Sequence, residues 1–123
     1  MTDITEFDPS YFDLEIDNGI VVVKFQKEQF TEEDNLEQFG IELFSLVDQY
    51  QFRKVVLSLA PVQYVTSSVL GKLITLHRKL GRNEGQLVLC DIHKNLENVL
   101  TTSKLMTYFT TAKDMSAAKS AFK

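Results

Sequence analysis

Cysteine is almost missing from this chain. Cys90 is the single thiol among 123 residues. It excludes an internal disulfide and fits a reducing, cytoplasmic setting. Only two prolines and five glycines occur, and no linker, repeat or low-complexity tract can be found. No apolar run approaches the roughly 20 residues that span a bilayer. The opening MTDITEFDPS is acidic and polar, unlike a secretory signal. Lysine and arginine number 13 against 17 aspartates and glutamates, a net charge of −4, so nucleic acid is not the favoured partner. The two histidines, His77 and His93, fall in different elements with no ligand spacing such as H-E-x-x-H. Gly81-x-x-x-Gly85 lacks the Lys-Ser/Thr that completes a phosphate-binding loop. Cys90 ends an apolar run and reads as a small buried hydrophobe. Together these absences leave no nucleophile–base pair, no metal and no cofactor to expect, and the chain reads as a non-enzyme.

What is present is ordinary globular material, 44% hydrophobic and 24% charged, expected as one domain over residues 1–123. Asn18-Gly19 lies between two β-rich runs, residues 11–17 and 20–26, the strongest short hairpin signal. A first helix is expected from Thr31, with Asp34 completing a capping box and Glu32 and Glu33 as solvated charges in its first turn. Leu36, Phe39, Gly40, Leu43, Val47 and Tyr50 form its apolar stripe, with Glu37, Glu42 and Asp48 opposite. Strands follow at 54–59 and 86–90, a helix at about 67–80, another at 91–103, a last short strand at Tyr108 and Phe109, and a C-terminal helix introduced by Thr111 and Asp114. The order ββαβαβαβα demands crossovers and predicts an α/β fold: a mixed, mostly parallel sheet with an N-terminal β-hairpin and about four helices.

The densest information lies in residues 55–71, VVLSLAPVQYVTSSVLG. A buried strand is followed by a turn at Pro61, then by Thr66, Ser67 and Ser68 at the mouth of a helix with periodic Leu70, Leu73, Ile74, His77 and Leu80. Capping alone accounts for such hydroxyls. A hydroxyl there also sits beside unpaired N–H groups and the positive end of the helix dipole, a favourable place for a phosphate. Helical spacing predicts an outer face of Ser68, Val69, Lys72, Thr75, Leu76 and Lys79, apolar and basic together, as a docking surface would be. An ordinary surface with scattered apolar residues is the alternative.

These residues resemble the STAS domain family, the module of bacterial anti-sigma factor antagonists and of the cytoplasmic tails of sulphate transporters. The family's v-v-l-D-L-S strand is similar to Val55-Val56-Leu57-Ser58-Leu59-Ala60, and its D-S-S-G-L-G helix start to Thr66-Ser67-Ser68-Val69-Leu70-Gly71. Downstream, Gly85-Gln86-Leu87-Val88-Leu89 resembles the family's G-x-L-x-L strand, and residues 95–105 and 109–118 its closing segments. The resemblance implies a STAS-like fold and a cytoplasmic phosphoprotein acting in bacterial signalling and transcription regulation. It implies a protein partner, a serine kinase that doubles as anti-sigma factor. Ser67 is then the candidate phosphoacceptor, Ser68 the second choice, and Thr66, Ser67, Ser68, Val69, Lys72 and Leu76 the partner-binding residues. The chain departs from the pattern at Thr66, Val69 and Ser58, where the family has Asp, Gly and Asp. A STAS-type binding or scaffold module without a phosphorylation cycle is the alternative.

Overall fold

The computed structural model describes residues 7–26 and 35–122. Strands β1 (Phe12–Asp17) and β2 (Ile20–Phe25) pair antiparallel across the expected turn. Asn18 and Gly19 both take positive φ, 51° and 81°, as a two-residue turn matched to the strand twist requires. Next come α1 (Leu36–Asp48), β3 (Lys54–Ser58), α2 (Ser67–Arg82), β4 (Gln86–Cys90), α3 (Lys94–Thr102), β5 (Thr110–Ala112) and α4 (Met115–Ser120). The sheet runs β1-β2-β3-β4-β5, and every pair after the hairpin is parallel. The mixed, mostly parallel α/β sheet with a leading hairpin and four helices is as the sequence predicts.

Each crossover moves one strand further in the same direction. Right-handed connections therefore place α1, α2 and α3 on one face. Val21, Val23, Val55, Leu57, Leu87 and Leu89 point into that layer, against Phe39, Leu43, Leu46, Leu73, Leu76, Leu80, Leu96 and Leu100. The other face is thinner. Ile20, Val22, Val56, Val88 and Cys90 meet Ala118 of α4, flanked by Met115, Ala121 and Phe122. Lys119 of α4 reaches Asp17 at 2.8 Å, tying the C-terminal helix to the hairpin.

Several boundaries differ from expectation, those of the helices through their caps. Helix α1 starts at Leu36, where Asn35 Oδ1 accepts from the Gln38 N–H at 3.0 Å; Thr31, Glu32, Glu33 and Asp34 lie outside the described residues. Glu42 faces inward rather than outward. It is buried and accepts from the Ser10 N–H at 2.8 Å and from Gln38 Nε2 at 3.1 Å. Helix α3 starts at Lys94 because His93 Nδ1 accepts from the Asn95 N–H at 3.2 Å. The last strand is Thr110–Ala112, and Phe109 is a buried plug before it. Asp114, not Thr111, caps α4, accepting from the Ala117 N–H at 2.9 Å.

Candidate functional site

The segment between β3 and α2 crosses the carboxyl ends of the central strands, where open α/β sheets place their sites. Leu59 N–H donates to the Cys90 carbonyl at 3.0 Å, and Val62 N–H to the Leu59 carbonyl at 2.9 Å, which closes the Pro61 turn. Thr66 is extended (φ −85°, ψ 166°), and its hydroxyl accepts from the Val69 N–H at 3.3 Å. That is N-cap geometry. With Thr66 occupied as the cap, Ser67 and Ser68 open the helix with their side chains exposed.

The remaining expected contact residues separate. Val69 is 1% exposed and Leu76 fully buried, so neither belongs to an outer face. The buried stripe of α2 is Val69, Leu73, Leu76 and Leu80, while Leu70, Ile74 and His77 flank it half-buried. The apolar arc of this helix is broad, and spacing alone does not say which edge of it meets the sheet. Burial of Val69 changes the meaning of one departure. Its bulk points into the core, so the surface beside the serines stays bare. Gly71 is exposed there, with open space where a Cβ would stand. Lys72 is half-buried. It lies across Gly40 of α1, where an added Cβ would come within 2.9 Å of its Cδ and Cε.

The carboxylate missing at Ser58 returns from Asp91, just past the end of β4. Ser58 Oγ donates to Asp91 Oδ2 at 2.9 Å, and Cys90 Sγ to the same oxygen at 3.5 Å. Asp91 takes φ 56°, a conformation that Asp tolerates better than most residues. Sequence spacing gives no hint of this pairing, because the partners are 33 residues apart. Asn95 Nδ2 meets Gln63 Oε1 at 3.5 Å, linking the start of α3 to the segment before α2. Burial, reinforced by the Asp91 charge, pushes the Cys90 thiol up to about 12, so it is a poor nucleophile. His77 packs on Tyr108 and Phe109, with ring centroids 4.8 and 5.6 Å away. Its Nδ1 is buried without a hydrogen-bond partner among the described residues. No cluster of three or more His, Cys, Asp and Glu among the described residues has the arrangement of a metal site, and no helix among them is long and apolar enough to cross a membrane. One exposed residue escapes the sequence reading, Ile41, 58% exposed on α1, while Tyr64, the aromatic of the turn before the serines, is 55% exposed.

The comparisons with known proteins agree with this fold. A Bordetella bronchiseptica protein, BtrV, assigned as an anti-sigma factor antagonist, is 34% identical over 89 residues, covering 72% of this chain and 76% of its own. A crystal structure of a Thermotoga maritima protein assigned to the same role superposes with a TM-score of 0.79 at 19% identity, covering 89% of this chain and 92% of that one. The phosphorylated form of the Bacillus cell fate determinant SpoIIAA superposes with a TM-score of 0.66 at 19% identity, covering 89% and 98%. The family model of the STAS domain matches residues 11–118; the chain belongs to the STAS domain family.

Proposed function

We propose that this protein is an anti-sigma factor antagonist, a non-enzymatic cytoplasmic switch in transcription regulation. It binds a protein partner that is both serine kinase and anti-sigma factor, and it is released when Ser67 is phosphorylated. One observation carries the reading. Ser67 and Ser68 stand exposed in the first turn of α2, at the carboxyl end of a STAS sheet, with bare Gly71 beside them and Val69 turned away. The kinase moves the terminal phosphoryl group of ATP to Ser67 Oγ, and ADP and the hydroxyl proton leave. The product carries about −1.5 to −2 added charges. At a helix N-terminus that charge is favoured by about 0.3–1 kcal/mol, so the domain accepts it. A partner docked there would have to desolvate a dianion, which is costly without a matching cation. A Bacillus protein of the same fold exists in a phosphorylated form, which supports the reading.

Thr66, where the family pattern has Asp, favours a second reading: a binding module that docks its partner without cycling phosphate. The two separate in one experiment. The protein is incubated with ATP and each anti-sigma-factor-type serine kinase of its source organism, and modified residues are mapped by mass spectrometry. Under the first reading Ser67 is modified, Ser67→Ala abolishes the modification, and Ser67→Asp weakens partner binding. Tight binding with neither serine modified selects the second.

A further inference from the structure

Helix α2 carries Lys72, Arg78, Lys79 and Arg82 and no acidic side chain, although the chain as a whole has a net charge of −4. Of these four cations, Lys79 is engaged within the fold: it meets Asp48 at 2.9 Å and lies 5.3 Å over the Phe44 ring. Lys72, Arg78 and Arg82 form no ion pair among the described residues. Beside this helix, α1 presents Ile41, the most exposed large hydrophobic among the described residues. Ile41, Phe44, Ser45, Asp48 and Gln49 line an open groove. The groove is continuous with α2, because Lys72 rests on Gly40 and Lys79 covers Phe44.

We propose that the α1 groove is the apolar anchor site of the partner interface. Its occupant is the kinase of the proposed function. The kinase presents one aliphatic or aromatic side chain to Ile41 and Phe44, flanked by carboxylates that meet Lys72, Arg78 and Arg82. The inference rests on that functional reading and adds to it the partner's chemistry. An exposed isoleucine alone is unremarkable on a protein surface. Here it adjoins a groove and a one-sign row of charges on the helix that carries the serines, which is the layout of an apolar interface centre with a polar rim. Charge of one sign also steers encounter with an acidic partner. The interface thus reaches one helix beyond the serines. It takes its apolar contact from α1, because Val69 and Leu76 are spent on the core.

The test measures binding of the ADP-bound kinase that modifies Ser67 to wild type, Ile41→Ala, Ile41→Glu, Arg78→Glu, Ser67→Asp and Thr101→Glu, the last an exposed position on α3. Ile41 is exposed, so circular dichroism and melting curves of its variants should match wild type. The expected result is at least about tenfold weaker binding for Ile41→Ala and loss of binding for Ile41→Glu. Arg78→Glu should weaken binding and flatten its salt dependence, and Thr101→Glu should have no effect. Wild-type affinity for Ile41→Glu alongside weakened Ser67→Asp overturns the anchor site and leaves the functional reading standing. A second arm covers failure of that reading. The photo-crosslinking residue p-benzoylphenylalanine is placed at position 41 of the full chain in its own organism. The crosslinked protein is identified, purified and assayed with the same variants. Crosslinks to an acidic-faced kinase whose binding Ile41→Glu abolishes support the proposal. Crosslinks only to a second copy of this chain, or none at all, overturn it.

Discussion

A methyl group added at Gly85 would stand 2.6 Å from the Arg53 carbonyl oxygen and 3.0 Å from Leu80 Cδ2. The backbone cannot withdraw, because Gly85 N–H donates to the Leu80 carbonyl and Gln86 N–H to that of Arg53, each at 2.7 Å. Gly85→Ala should therefore cost about 1–3 kcal/mol, the usual range for overpacking, read as a lower denaturation midpoint. At Gly40 the obstacle is only the flexible end of Lys72, and the residue lies inside α1, where glycine is disfavoured by about 0.5–1 kcal/mol relative to alanine. Gly40→Ala should be neutral or stabilising by up to that amount. Equal losses at the two positions would show that side-chain yielding does not separate them. Leu76 gives the complementary case. It is fully buried, so Leu76→Ala should cost about 2–5 kcal/mol, and any loss of binding must be judged against loss of fold. None of these distinctions is legible in the sequence. Leu76 and Lys72 both fall on the outer face by spacing, and only the orientation of α2 against the sheet separates them.

Caps set the ends of the helices, and the caps explain which element boundaries can be read from the chain. Thr66 is legible because a hydroxyl residue directly precedes a periodic run, and the structure uses it as the cap. His93 is not legible: a histidine cap is rare, so α3 reads as starting early, at Asp91, when that residue instead takes φ 56° and serves Ser58. The strands β2, β3 and β4 declare themselves as short apolar runs buried on both faces, whereas the three-residue β5 has no such pattern. The cap at Thr66 also separates two roles for neighbouring hydroxyls. Thr66→Ala should destabilise the protein by about 1 kcal/mol, because the Val69 N–H loses its acceptor. Ser67→Ala should leave stability nearly unchanged, since the exposed Ser67 hydroxyl does no capping. Denaturation of the two variants side by side measures the difference. A larger loss in Ser67→Ala would mean that the cap is misassigned, and that phosphate at Ser67 disturbs the helix itself.

The whole molecule is protected unequally on its two sheet faces, and pH should expose the difference. Among the described residues three helices cover one face, while the other depends on short α4, held by Ala118 and by the Lys119–Asp17 pair. Two groups on that thinner side have raised values in the fold. Burial lifts the Cys90 thiol from 9.0 to about 12, and the hydrogen bond to Asp17 lifts Lys119 above its usual value. Each holds its proton more tightly folded than unfolded. The stability each contributes is complete below its unfolded value and is lost as pH rises through its folded value. For the thiol that window is pH 9 to 12. At the acid end Glu15 runs the other way. Its hydrogen bond with Lys24 holds it below the usual carboxylate range, so its contribution is present at neutral pH and fades as pH falls through its folded value. Stability should therefore be flat near neutrality and fall steadily above pH 9, where the decline begins at the thiol's unfolded value. Cys90→Ser keeps a donor for Asp91 and removes the thiol's titration. Whatever its uniform cost, it should fall less steeply than wild type across that window. Asp17→Asn should likewise weaken the alkaline loss that belongs to Lys119. Urea denaturation from pH 7 to 12 reads both slopes. Parallel curves for wild type and Cys90→Ser would mean that the thiol does not hold its proton more tightly in the fold. Parallel curves for Asp17→Asn would mean that the α4 clamp contributes nothing to the alkaline limit.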